Sequence, residues 1–146
     1  AMATSFKGEI LSGIHALGTT VIRAGTGADT LKAALYLASA TINAATTAYT
    51  VTGEVSGAGY SAGGVTVTNA TAPTTGGTTG YWTPSASITY TTVTLTTAFD
   101  CVLIYNSTQS NKAISAHTFG SQTVTAGTFT LTMPVNDASN ALIRIA

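Results

Sequence analysis

The sequence predicts a mainly β chain, an antiparallel β-sandwich of jelly-roll or Greek-key kind with one N-terminal amphipathic helix. Three observations predict it. Beyond Gly64, apolar residues and threonines alternate with period two through several runs. Before Gly18, apolar residues recur instead at spacings of three and four. Clusters of Gly, Pro, Asn and Ser punctuate the alternating runs. One domain is expected over 1–146, with a helix or arm over about 1–22 and a glycine-rich connector over 23–29.

The helix is expected over Ser5–Leu17, where Phe6, Ile10, Leu11, Ile14 and Leu17 share one face. Ser5 suits its N-cap and Gly18 its stop. Gly8 and Gly13 each cost about 1 kcal/mol relative to Ala, so this helix needs a surface to lie on. The next segment, Leu31–Ala40 (LKAALYLASA), reads two ways: its propensities favour helix, its length and turn-like flanks a strand.

Later segments alternate more clearly. Gly64–Asn69, Ile88–Thr97 and Thr123–Met133 place Val, Leu and Phe on one face and threonines on the other. Cys101–Tyr105 and Leu142–Ile145 are short and almost wholly apolar, which suits strands buried on both sides or near the chain's end. Gly53–Gly64, Pro73–Gly80, Asn106–Asn111 and Pro134–Asn140 read as the separators, for seven to nine strands in all. The expected core includes Val93, Leu95, Val102, Ile104, Phe129, Leu131 and Ile143.

Composition excludes several classes. Only 7% of residues are charged, against about 25% in an average soluble domain. The formal net charge is zero, and 31 of 146 residues are threonine. Five Lys and Arg cannot neutralise a long phosphate track, so no nucleic-acid partner is expected. The 45% hydrophobic content argues against disorder, and the glycines and threonines against a coiled coil. No apolar stretch reaches the roughly 18 residues of a membrane span, and the N-terminus lacks a secretory pattern. Cys101 stands alone in an apolar run and reads as an inert buried thiol. Asn69 and Asn106 head Asn-x-Thr triplets, as chance allows in a threonine-rich chain.

Ionisable side chains are scarce, and no catalytic residue, cofactor or metal is expected. A glycosidase pair would have to join Glu54 to Asp100 or Asp137, which nothing in the spacing favours. His15 and His117 lack clustered Cys or carboxylate partners for a metal. Gly25-Thr26-Gly27 lacks the strand and third glycine of a dinucleotide fingerprint. The run Gly53–Gly64, GEVSGAGYSAGG, lacks the Lys-Ser/Thr of a phosphate loop, and its glycines suit positive-φ turns. Glu54 and Tyr60 are its specific features. Trp82 beside Tyr81 reads either as a sugar-stacking pair or as packing and an interface anchor.

A set of blocks resembles a family of small structural proteins of tailed bacteriophage virions. They are Ser5-Phe6-Lys7 with Gly13-Ile14-His15, Asp29–Tyr36, Ala48-Tyr49-Thr50, Gly53–Gly64, Ala113–Gly120 and Gly127–Leu131. LKAALY and GEVSGAGYSAGG are the most specific, and Thr71–Ser87 lies outside the resemblance. The resemblance implies a non-enzymatic virion component, most directly a capsid cement or decoration protein. Its partners would be the major capsid protein and copies of itself, as a homotrimer, on the virion surface after synthesis in the bacterial cytoplasm. A tail or head-fibre protein is the first alternative, and a carbohydrate-binding or adhesin sandwich the second. Phe6, Ile10, Ile14, Tyr60, Tyr81 and Trp82 are the candidate capsid or subunit contacts.

Overall fold

The computed structural model describes residues 1–19 and 27–146. Among them are one helix, α1 (Thr4–Leu11), and seven strands: β1 (Leu31–Leu37), β2 (Val65–Thr66), β3 (Thr74–Gly76), β4 (Thr79–Trp82), β5 (Ile88–Asn106), β6 (Lys112–Leu131) and β7 (Ile143–Ile145). The strands form two antiparallel sheets, ordered β2-β1-β5-β6 and β3-β4-β7. The described residues are therefore mainly β with a single short helix.

That helix is shorter than its apolar spacing suggests. It ends at Leu11, and Gly13 turns the backbone into the left-handed region at φ 71°. Its N-cap is Ala3, not Ser5, with no side-chain cap bond. Phe6 is its one buried residue; Ile14, His15 and Leu17 lie beyond it on irregular chain. The amphipathic helix expected over Ser5–Leu17 is thus a helix of two turns followed by a strap. Of the connector expected over 23–29, only 27–29 falls among the described residues.

The ambiguous segment LKAALYLASA is strand over Leu31–Leu37 and turn after it. Five of the seven residues of β1 are buried, because β1 lies between β2 and β5 and is covered on both faces. Helix propensity yields here to long-range pairing, with Leu31 opposite Asn106 and Leu35 opposite Val102.

β5 and β6 make a long hairpin that turns through Ser107–Asn111, with Ser110 and Asn111 at φ 54° and 57°. The buried residues Tyr90 and Val93 are three apart, and Leu95 and Phe99 four apart. Each gap holds a threonine pair, Thr91-Thr92 or Thr96-Thr97, and each coincides with a register shift against β6. Thr92 sits at φ 51° and Ala126, across the hairpin, at φ 43°. The three-residue gap resets the period-two phase, while the four-residue gap keeps it, so that apolar residues go on facing inward. The bulges also interrupt the ladder that joins β5 to β6, the strand at the outer edge of its sheet. Near the turn that outer edge is covered by Ala1–Ala3, where Ala3 N–H donates to Ile114 O (2.9 Å) and Ala116 N–H to Ala1 O (2.8 Å).

Val93, Leu95, Val102, Ile104 and Ile143 are buried as expected. Phe129 and Leu131 are only half-buried, because β6 is an outer strand. β7 is also an outer strand, not a central one, and Ile145 is 45% exposed. Pro73–Gly80, read as a separator, contains β3 and the start of β4. Gly64–Asn69 contributes only the two residues of β2.

The Gly53–Gly64 segment lies along the edge of β1. Leu37 N–H donates to Gly53 O (2.9 Å) and Val55 N–H to Leu35 O (3.0 Å). On its other side, Thr94 N–H of β5 donates to Ala58 O (2.9 Å). Contact this close excludes side chains: a Cβ on Gly57 would stand 1.9 Å from Thr94 O, and one on Gly64 1.7 Å from Ala33 O.

Candidate functional site

The Gly53–Gly64 segment carries Glu54 to the side of β1, where it bridges to Tyr36. Three donors converge on its carboxylate. Tyr49 O–H donates to Oε2 (2.6 Å), Tyr60 O–H to Oε1 (2.7 Å) and Gly63 N–H to Oε1 (2.7 Å). Leu35 N–H donates in turn to the Tyr60 hydroxyl (3.0 Å). Around this hub Tyr105 donates to Gly63 O, Tyr90 to Ala33 O and Tyr36 to Thr50 O, at 2.7, 2.8 and 2.7 Å. Tyr49 stacks on Tyr105 with ring centroids 4.9 Å apart.

Burial pushes the Tyr36 and Tyr105 hydroxyls up to about 12, with the Glu54 charge adding to the shift. Burial likewise raises Tyr49, Tyr60 and Tyr90, again reinforced by Glu54. The phenolic protons therefore stay on their oxygens at neutral pH, each donated to an internal acceptor. The cluster clamps the glycine-rich segment between β1 and β5. Asp100 and Asp137 are not among the bonded partners of Glu54; Asp137 instead accepts from Ser139 N–H (2.8 Å) and Asn140 N–H (2.7 Å) in its own turn.

A second polar network ties the N-terminal strap to the hairpin turn. Asn106 Oδ1 accepts from Thr108 N–H and Gln109 N–H, which fixes its amide as a donor on Nδ2. That Nδ2 reaches Asp29 Oδ2 (2.8 Å) and His15 Nδ1 (3.2 Å). His15 Nδ1 therefore accepts, and Nε2 carries the proton toward Glu9 Oε2, 2.7 Å away. Lys112 Nζ lies 3.5 Å from Glu9 Oε1, and Phe6 lies 4.8 Å from the His15 ring. Both imidazole nitrogens are engaged and the side chain is fully enclosed. His15 holds the strap in place and has no nitrogen left for a substrate. Partners 77 and 91 residues apart leave no local signal, so sequence reasoning missed this network.

The second histidine, His117, lies on β6 with Nε2 2.8 Å from Ser115 Oγ, and burial lowers its pKa to about 4. Cys101 is buried, and burial raises its thiol. Asn106 is wholly buried, and Asn69 accepts from Gly18 N–H (2.7 Å), so both Asn-x-Thr amides serve inside the fold. Among the described residues no group of three or more His, Cys, Asp or Glu could hold a metal ion. Nor is any helix among them long and apolar enough to cross a membrane.

The six candidate contact residues separate in the structure. Phe6 and Trp82 are buried within the chain, the latter with Nε1–H donating to Thr71 O (2.9 Å). Trp82 is accordingly not a sugar platform. Tyr60 is half-buried, with its hydroxyl committed to Glu54. Ile14 is half-buried on the strap. Ile10 and Tyr81, also half-buried, meet at an open cavity of about 580 Å³ between the strap and the three-stranded sheet. Leu17, Pro73, Ile143 and Ile145 are among its apolar walls, and the buried candidate Trp82 also lines it. It is the one place where candidate residues come together at the surface.

No protein-family model matches the chain, and no curated protein or solved structure matches it.

Proposed function

We propose that the chain is a non-enzymatic structural protein of a bacteriophage virion, a capsid cement or decoration protein. In this reading it is made in the bacterial cytoplasm and binds across neighbouring major capsid subunits as a homotrimer. Its two sheets are read as the layers of a β-sandwich of jelly-roll or Greek-key kind. The observation that carries the reading is the role of the two most specific blocks of the resemblance. LKAALY is the buried strand β1, and GEVSGAGYSAGG is the segment clamped along its edge through Glu54. Both serve architecture, as expected of a protein whose task is to be a rigid building unit. The zero net charge and 7% charged residues fit a subunit that works packed against others.

A cement protein binds the assembled shell and not its separated subunits, so linkage raises shell stability. Particles lacking the protein are expected to assemble, to lose DNA at a lower temperature than complete particles, and to recover when it is added back. Attachment is expected to change little with salt, since the chain has only five basic residues. Absence of affinity for capsids, together with a few copies per particle, would overturn the assignment and favour a tail or head-fibre role.

A further inference from the structure

We draw no further inference here: the strongest candidate, the outer edge of β6 beyond the stretch covered by Ala1–Ala3, where Phe119, Phe129 and Leu131 stay half-buried, carries nothing because nothing in the structure shows what covers it.

Discussion

Gly64→Ala tests whether close backbone contact, and not flexibility, explains the glycines of the Gly53–Gly64 segment. Gly64 sits at φ 76°, which alone costs an alanine about 1–2 kcal/mol. The added Cβ would also stand 1.7 Å from Ala33 O and 2.5 Å from Ala33 C. Both are backbone atoms of the central strand β1, so no side-chain rotation relieves the clash and the segment must lift. Lifting weakens the bonds Leu37 N–H to Gly53 O, Val55 N–H to Leu35 O and Leu35 N–H to the Tyr60 hydroxyl. At about 1 kcal/mol net for each hydrogen bond, strain and lost bonds together come to about 4–5 kcal/mol. Gly77→Ala is the control, because Gly77 shares a positive φ of 60° but faces open space. It should lose only the conformational cost of about 1–2 kcal/mol. Urea denaturation of both variants and the wild type reads the difference from the midpoints at constant slope. A Gly64→Ala loss no larger than that of Gly77→Ala would refute the argument.

Other substitutions probe the remaining elements. Gly8→Ala should stabilise by about 0.5–1 kcal/mol, since Gly8 lies inside α1 with nothing within 4 Å of the new Cβ; an unchanged or lower melting temperature would contradict this. Phe99→Ala should cost about 3–5 kcal/mol, because Phe99 is fully buried and meets Phe129 edge-on at 5.0 Å. Phe129→Ala should cost clearly less, as its ring is half-buried on an outer strand; equal losses by chemical denaturation would mean that β6 is covered there. Alkaline stability gives a further check. The Tyr36 and Tyr105 hydroxyls are raised from 10.0 to about 12, so the folded state holds their protons more tightly. That contribution is complete below pH 10 and is lost as pH rises toward about 12. Phenolate absorbance in the folded chain should lag that of the unfolded chain over this window, and coincident titration curves would contradict the tyrosine clamp.

Much of the β architecture was legible because its causes are local. Alternation in Ile88–Thr97 follows from the two-residue period of a strand and needs no partner to be read. Even the bulges leave a mark, since Thr91-Thr92 and Thr96-Thr97 interrupt the alternation where the register shifts. Glu54 and Tyr60 stood out within a run of glycines and small residues, and they prove to be hydrogen-bond partners. The candidate contacts were less legible. Apolar spacing marks Phe6, and the aromatic pair with Tyr81 marks Trp82, as residues that need cover, but neither signal says whether the chain itself or another molecule supplies it.

By itself, then, the sequence determined a mainly β chain, an uncharged character, the phase of the long strands and the glycine-dependence of one segment. The tertiary structure decided the rest. It ended α1 at Leu11, made a strand of LKAALYL, set β6 and β7 at the outside of their sheets, and buried Phe6 and Trp82. It alone brought Tyr49 and Tyr60 together at Glu54, and Asn106 to His15 and Asp29. The division has a physical cause. Strand period and turn chemistry arise between residues a few positions apart, whereas burial, edge position and hydrogen-bond partnership depend on which distant segment pairs with which, and pairing minimises the free energy of the whole chain at once.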